Sequence, residues 1–205
     1  MTQVDNYLGN GKSAPPNRWL VGPFDSSEIS SSDAYVSFGS ILVPARADVA
    51  MRVEYDEASA RIVAVTLEQN YSTIQVQAFA APRSEGLWHE IREQLKLSVL
   101  QQGGDANFVV GAFGPELIAQ LPVFDAQGQQ VASRTDRFIG IDGPRWFIKA
   151  IVRGAAVRDV INAADLDDLF RSIVIDRGET PLPPGDLLPL TMPSGAVPAA
   201  FRSIL

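Results

Sequence analysis

The chain has 205 residues, 46% of them hydrophobic and 20% charged, and 17 Lys+Arg against 24 Asp+Glu give it a formal net charge of -7. One His and no Cys exclude a disulfide framework, an iron–sulfur cluster, a thiolate zinc site, a cysteine nucleophile and a multi-histidine metal site. The acidic balance speaks against a nucleic-acid groove, which needs a basic surface, and the size suits one globular domain with loose ends.

Residues 1–33 carry a serine cluster at Ser26–Ser27 and Ser30–Ser32 among Gly, Asn and Pro, and are expected to be a mostly disordered arm. Trp19 and Phe24 are its large aromatics, expected to dock back onto the fold, with docking onto a partner as the alternative. No basic stretch followed by an apolar one opens the chain, and no run approaches ~18 uninterrupted apolar residues. A cytoplasmic protein that makes no membrane contact is expected.

Ser40–Ala45 reads as a short strand stopped by Pro44. Val49–Tyr55 alternates Val49, Met51, Val53 and Tyr55 against Ala50, Arg52 and Glu54, the period of a half-buried strand. Asp56–Ser59 is a turn. Arg61–Glu68 and Ser72–Ala81 complete a three-stranded antiparallel meander. Pro82 ends it. Ser84 and Glu85 suit a helix start, and Leu87, Ile91, Leu95 and Val99 recur every four residues, so an amphipathic helix spans roughly 85–101 until Gly103-Gly104 stops it.

A second strand group follows at Phe108–Phe113, Leu117–Val123, Arg137–Ile141 and Trp146–Arg153, with turns at Gly114-Pro115, Gln127-Gly128 and Asp142-Gly143-Pro144. Asp165 is placed as the cap of a shorter helix carrying Leu166, Leu169, Phe170 and Ile173, and Ile173–Asp176 as a last strand. Residues 178–205 hold Pro at 181, 183, 184, 189, 193 and 198, which suits an extended tail lying against the fold through Leu187, Leu188 and Leu190. The expected fold is α+β: one domain at 34–177, with a single twisted antiparallel sheet, two helices packed on one face of it, and extended N- and C-terminal arms.

Motifs for chemistry are sparse. Gly9-Asn10-Gly11-Lys12-Ser13 ends like a phosphate-binding loop, but Asn6 stands where the pattern needs Gly, and Pro15-Pro16 follows where it needs a helix. His89, the lone histidine, falls off the apolar stripe of its helix and reads as solvated. No Gly-x-Ser-x-Gly elbow presents a serine. Asp167-Asp168 point about 100° apart on a helix, which suits neither a metal cage nor an acid/base couple.

Two junctions stand out. Asp142-Gly143-Pro144 delivers Arg145 and Trp146 to one rim of the sheet, where Arg can fork onto a carboxylate or phosphate and Trp offers a flat apolar surface. The plainer alternative pairs Arg145 with Asp142 and puts Trp146 in the core. The strand-to-helix junction Ala81–Trp88 could hold an anion on its backbone N–H groups beside Arg83, or could be a capped helix start with Trp88 packed on the sheet.

Gln77–Ser84, Gly86-Leu87-Trp88, Gly114-Pro115-Glu116-Leu117 and Arg137–Phe147, in this order, resemble an uncharacterised bacterial family called domain of unknown function 3710. Gly22-Pro23-Phe24-Asp25 and Pro189-Leu190 resemble its ends, so the resemblance spans roughly residues 22–190. It implies a cytoplasmic protein of high-GC Gram-positive bacteria. It implies no activity, because the family has no assigned reaction, ligand or catalytic residue.

The functional expectation is a non-enzymatic protein-binding or adaptor module, with a protein partner and with no catalytic residues, metal or cofactor. Arg83, Trp88, Asp142, Arg145 and Trp146 are the candidate partner- or ligand-binding residues, since Arg and aromatics anchor interfaces. One alternative is a small-ligand or nucleotide-binding enzyme using Arg83 and Arg145 on a phosphate and Asp142 as base or metal ligand. Another is a structural subunit joined to a larger assembly through exposed strand edges.

Overall fold

A computed structural model of the chain describes residues 11–194. In chain order it holds α1 (Arg18–Val21), β1 (Phe24–Asp25), β2 (Tyr35–Ser37), β3 (Ile41–Pro44), β4 (Ala50–Asp56), β5 (Arg61–Gln69), β6 (Ser72–Ala80), α2 (Trp88–Gln101), β7 (Asp105–Gly111), β8 (Gly114–Phe124), β9 (Gln130–Asp142), β10 (Trp146–Gly154), α3 (Val160–Arg171) and β11 (Val174–Ile175). Short 3-10 turns precede β2 and α3. The mixed α and β content matches expectation, but the strands form two sheets, not one. A seven-stranded antiparallel sheet runs β4-β5-β6-β10-β9-β8-β7, and a four-stranded sheet runs β1-β11-β3-β2 with β1 parallel to β11.

The helices also lie on opposite faces of the large sheet rather than on one. Strand β10 shows why. Trp146, Ile148, Ala150 and Val152 share a core with Leu166, Leu169 and Phe170 of α3 and with Ile41 and Val43 of the small sheet. Phe147 and Ile151, alternate residues of the same strand, face a second core with Trp88 and Val99 of α2. A strand apolar at consecutive positions is apolar on both faces, and each face needs its own cover. The run Trp146-Phe147-Ile148 carries that signal in the sequence. Strand β4 sits at the sheet edge and keeps the expected alternation, with Met51 and Val53 toward the α3-side core.

Both helix starts are corrected. α2 begins at Trp88 without a side-chain cap from Ser84, and α3 begins at Val160, capped by Asp159 rather than Asp165. The Asp159 carboxylate accepts hydrogen bonds from the N–H groups of Ile161 and Asn162, both at 2.9 Å, the usual way a helix start is satisfied. Val160 and Ile161 are exposed, so the first turn of α3 lacks the apolar spacing that would announce it.

Of the segment read as an N-terminal arm, the described part contributes α1 and the edge strand β1, with Trp19 exposed and Phe24 half-buried. At the other end of the chain, Asp186 to Leu188 run beside β6. Ala80 N–H donates to Asp186 O at 2.8 Å and Leu188 N–H to Ala78 O at 2.9 Å. They take the place beside residues 78–80 that β5, which pairs with β6 only along 72–76, leaves open.

One charged group lies inside the α3-side packing. Arg137 of β9 donates Nε to Glu116 Oε2 at 2.6 Å and Nη1 to Asp167 Oδ1 at 2.8 Å, with second bonds from Nη2 to each carboxylate. The triad ties α3 to β8 and β9. A buried ion cluster is a weak source of net stability, but removing one member strands the others in a low dielectric. Arg137→Met is therefore expected to lose about 3–5 kcal/mol in a urea unfolding titration. The triple replacement of Arg137, Glu116 and Asp167 by apolar residues should recover most of that loss.

Candidate functional site

The five residues singled out by sequence surround the end of the sheet where β6 leads to α2 and β9 turns into β10. Asp142 is buried at the end of β9. Its Oδ1 accepts the Leu87 N–H at 2.8 Å and its Oδ2 the Ser13 N–H at 2.9 Å. Burial pushes its carboxyl above the ordinary carboxylate value, opposed by hydrogen bonds from the Leu87, Ser13 and Trp88 backbone and by the Lys12 charge. Asp142 thus caps α2 from a distant strand and pins the N-terminal segment to the same turn. Lys12 completes the clamp, donating Nζ to Gly143 O and to Pro144 O. Gly86 has to be glycine here, since a Cβ would stand 2.5 Å from Gly11 O and 2.8 Å from Asp142 Oδ2.

Both tryptophans are core residues. Trp88 stacks on Phe147 with ring centroids 6.1 Å apart, and donates Nε1 to Pro115 O. It lies so close over Gly140 that a Cβ there would be 2.1 Å from its ring. Trp146 donates Nε1 to Asp25 Oδ2 at 2.9 Å and carries the Arg18 guanidinium 5.3 Å above its ring. Arg18 is itself held bidentate by Glu28.

Arg83 and Arg145 are exposed, and neither side chain makes a hydrogen bond or ion pair among the described residues. The alternative pairing of Arg145 with Asp142 is not formed, and the backbone clamp takes its place. The Ala81 N–H donates to Arg145 O at 3.0 Å, so the two arginine-bearing segments are neighbours at this rim. The structure brings Trp88, Asp142 and Trp146 together as the rim's foundation and leaves the two arginines on its surface.

Sequence reasoning missed Lys12, Ser13, Arg18 and Asp25. They sit in the segment read as an arm, and only the fold carries them to residues more than a hundred positions away. No group of three or more His, Asp or Glu side chains suited to a metal ion occurs among the described residues. A groove of about 500 Å³ opens between Tyr55, Arg61 and the tail residues Leu187, Pro189 and Met192. None of the five candidate residues lines it.

The chain belongs to the family described as Protein of unknown function (DUF3710), whose profile matches residues 22–199. No curated protein matches the chain. Among solved structures it is similar to cyanobacterial PsbP (CyanoP) from Synechocystis sp. PCC 6803, determined in solution, at 12% identity and a TM-score of 0.40 over 66% of this chain and 86% of that one.

Two outcomes test the site's electrostatics. Asp142→Ala leaves the Leu87 and Ser13 N–H groups without their acceptor, an expected loss of about 1–3 kcal/mol. Faster amide hydrogen exchange at Ser13 and in the first turn of α2 is the specific readout. Lys149, half-buried beside the Phe79 ring, has its amine lowered from the ordinary 10.5 by burial. The folded chain then releases this proton before the unfolded chain does, so stability rises as pH climbs from the lowered value toward 10.5. Denaturant titrations at neutral and alkaline pH should show that rise in the wild type and a smaller one in Lys149→Met.

Proposed function

We propose that this protein is a non-enzymatic binding module that engages a protein partner at the rim formed by Arg83 and Arg145. One observation carries the reading. Asp142, which an enzyme built on this corner would need as base or metal ligand, gives both oxygens to backbone N–H groups, while the two arginines beside it stay exposed and unpaired. A carboxylate so engaged, and only 3% exposed, is directed at the backbone rather than at a substrate. An exposed arginine keeps five donors for a partner's carboxylates or carbonyls, and arginine is enriched among residues that dominate interface energetics.

Trp88 and Trp146 serve this surface from below. They hold the β6–α2 junction and the β9–β10 turn at fixed positions, which limits the ordering entropy that binding has to overcome. The partner is expected to present acidic or carbonyl-rich surface.

Affinity capture with tagged full-length protein tests the proposal. The wild type is expected to retain a stoichiometric protein partner from the lysate of its own cells. The double variant Arg83→Glu/Arg145→Glu should retain at least tenfold less, with a melting temperature within about 2 °C of wild type, since exposed unpaired side chains contribute little to stability. Undiminished capture by that variant would remove the rim from the interface.

A further inference from the structure

Two arginines of this chain are buried to nearly the same degree and are treated in opposite ways. Arg137, 8% exposed, makes four hydrogen bonds to two carboxylates. The side chain of Arg92 in α2, a residue 6% exposed, makes no hydrogen bond or ion pair among the described residues, and its Nε is enclosed with no partner. A buried guanidinium ordinarily meets an anion, because its desolvation is otherwise uncompensated. Burial accordingly lowers the Arg92 pKa, and Glu93 is the acidic neighbour whose charge opposes that shift, without forming an ion pair.

The flank of α2 that carries Arg92 adds a second positive charge, Lys96, beside the acidic Glu93. His89, Arg92 and Lys96 stand at i, i+3 and i+7, so one flank of α2 carries all three. That flank meets β7, the edge strand, at Phe108. The Arg92 guanidinium carbon and the Lys96 ammonium nitrogen each lie 4.6 Å from the centroid of the Phe108 ring. Two cations therefore crowd one ring, four residues apart on one helix, a spacing at which like charges repel. The ring face attracts each of them but neutralises neither. The His89 Nδ1 atom is likewise enclosed and without a partner. Phe108 is 38% exposed and Lys96 half-buried, so the seam is reachable from solvent.

We infer that the seam between α2 and β7 is a binding site for a phosphate group, held by Arg92 and Lys96 with His89 beside them. A doubly charged tetrahedral oxyanion matches this set better than a carboxylate does. The Arg92 fork takes two of its oxygens, and its second charge answers Lys96, which a carboxylate on Arg92 would leave uncompensated. The site uses neither Arg83 nor Arg145 and does not depend on what that rim binds.

The test uses the full-length chain labelled with nitrogen-15 and follows the Arg92 side-chain Nε–Hε resonance during titration with inorganic phosphate. A saturable shift is expected with phosphate and not with chloride at matched ionic strength. Lys96→Met should weaken the phosphate affinity at least fivefold, and Arg92→Lys should weaken it too, while Arg158→Ala, on an exposed residue far along the chain, should not. A parallel titration with glycerol 3-phosphate separates the free ion from a phosphomonoester as the preferred source, since tighter binding of the ester assigns the site to phosphate-bearing metabolites. Equal shifts with chloride, or a phosphate affinity unchanged in Lys96→Met, would overturn the assignment. If Arg92→Lys does not fold, Lys96→Met decides alone, because that side chain lies partly in solvent.

Discussion

In β10, Trp146, Ile148, Ala150 and Val152 turn to one side of the large sheet while Phe147 and Ile151 turn to the other, so the strand has to be covered twice. A chain of this size meets the demand with few elements. α2 covers one side across β7, β8 and β9. On the other, α3 and the small sheet share the work, with Phe170 meeting Phe113 edge-on at 5.1 Å. The small sheet exists because one helix is too narrow to bury the α3-side surface of a wide sheet. Its strands come from distant parts of the chain, which is why β1 and β11 pair across some 150 residues of sequence.

Charge is placed under the same constraint. Where the core admits an arginine, at Arg137, two carboxylates from different elements meet it, and the cluster fixes the position of α3 over β8 and β9. Asp136, on the opposite face of the same strand, is answered by Arg134 and Arg153. Against this habit Arg92 is the exception, and it lies where a helix flank meets an unpaired sheet edge.

Much of the fold was legible residue by residue. The meander from β4 to β6, the apolar stripe of α2 and the four strands of the second group follow from period and punctuation, which are local properties. The division into two sheets was not legible: β3 and β11 read as strands, but β1 and β2 did not, and the pairing of the two-residue β1 and β11 is owed to tertiary position alone. The sidedness of the helices was recoverable from the consecutive apolar residues Trp146-Phe147-Ile148 in β10. The candidate site was half legible: the five residues do gather at one end of the sheet, but their division of labour was not. Asp142 looked like chemistry and is a clamp, since its partners are backbone groups that no side-chain pattern reveals. The segment Arg137–Phe147, one of those that carry the family resemblance, contains the buried triad's arginine, the glycine beneath Trp88, the clamp and the core face of Trp146. These residues hold the architecture together, so they identify a fold more sharply than an activity.

The neighbours of β6 have a consequence for how the chain reaches this state. Residues 72–76 of that strand pair with β5, but residues 78–80 wait for the segment around Asp186–Leu188, and β1 waits for β11. During synthesis the first two-thirds of the chain therefore emerge with an interior strand half unpaired and an N-terminal segment that has nowhere to dock. Closure has to follow the appearance of the proline-rich stretch, whose stiffness in an extended form suits it to be laid down last. Until then the nascent protein presents a raw β-edge, the kind of surface that holding chaperones recognise and that misassembly exploits.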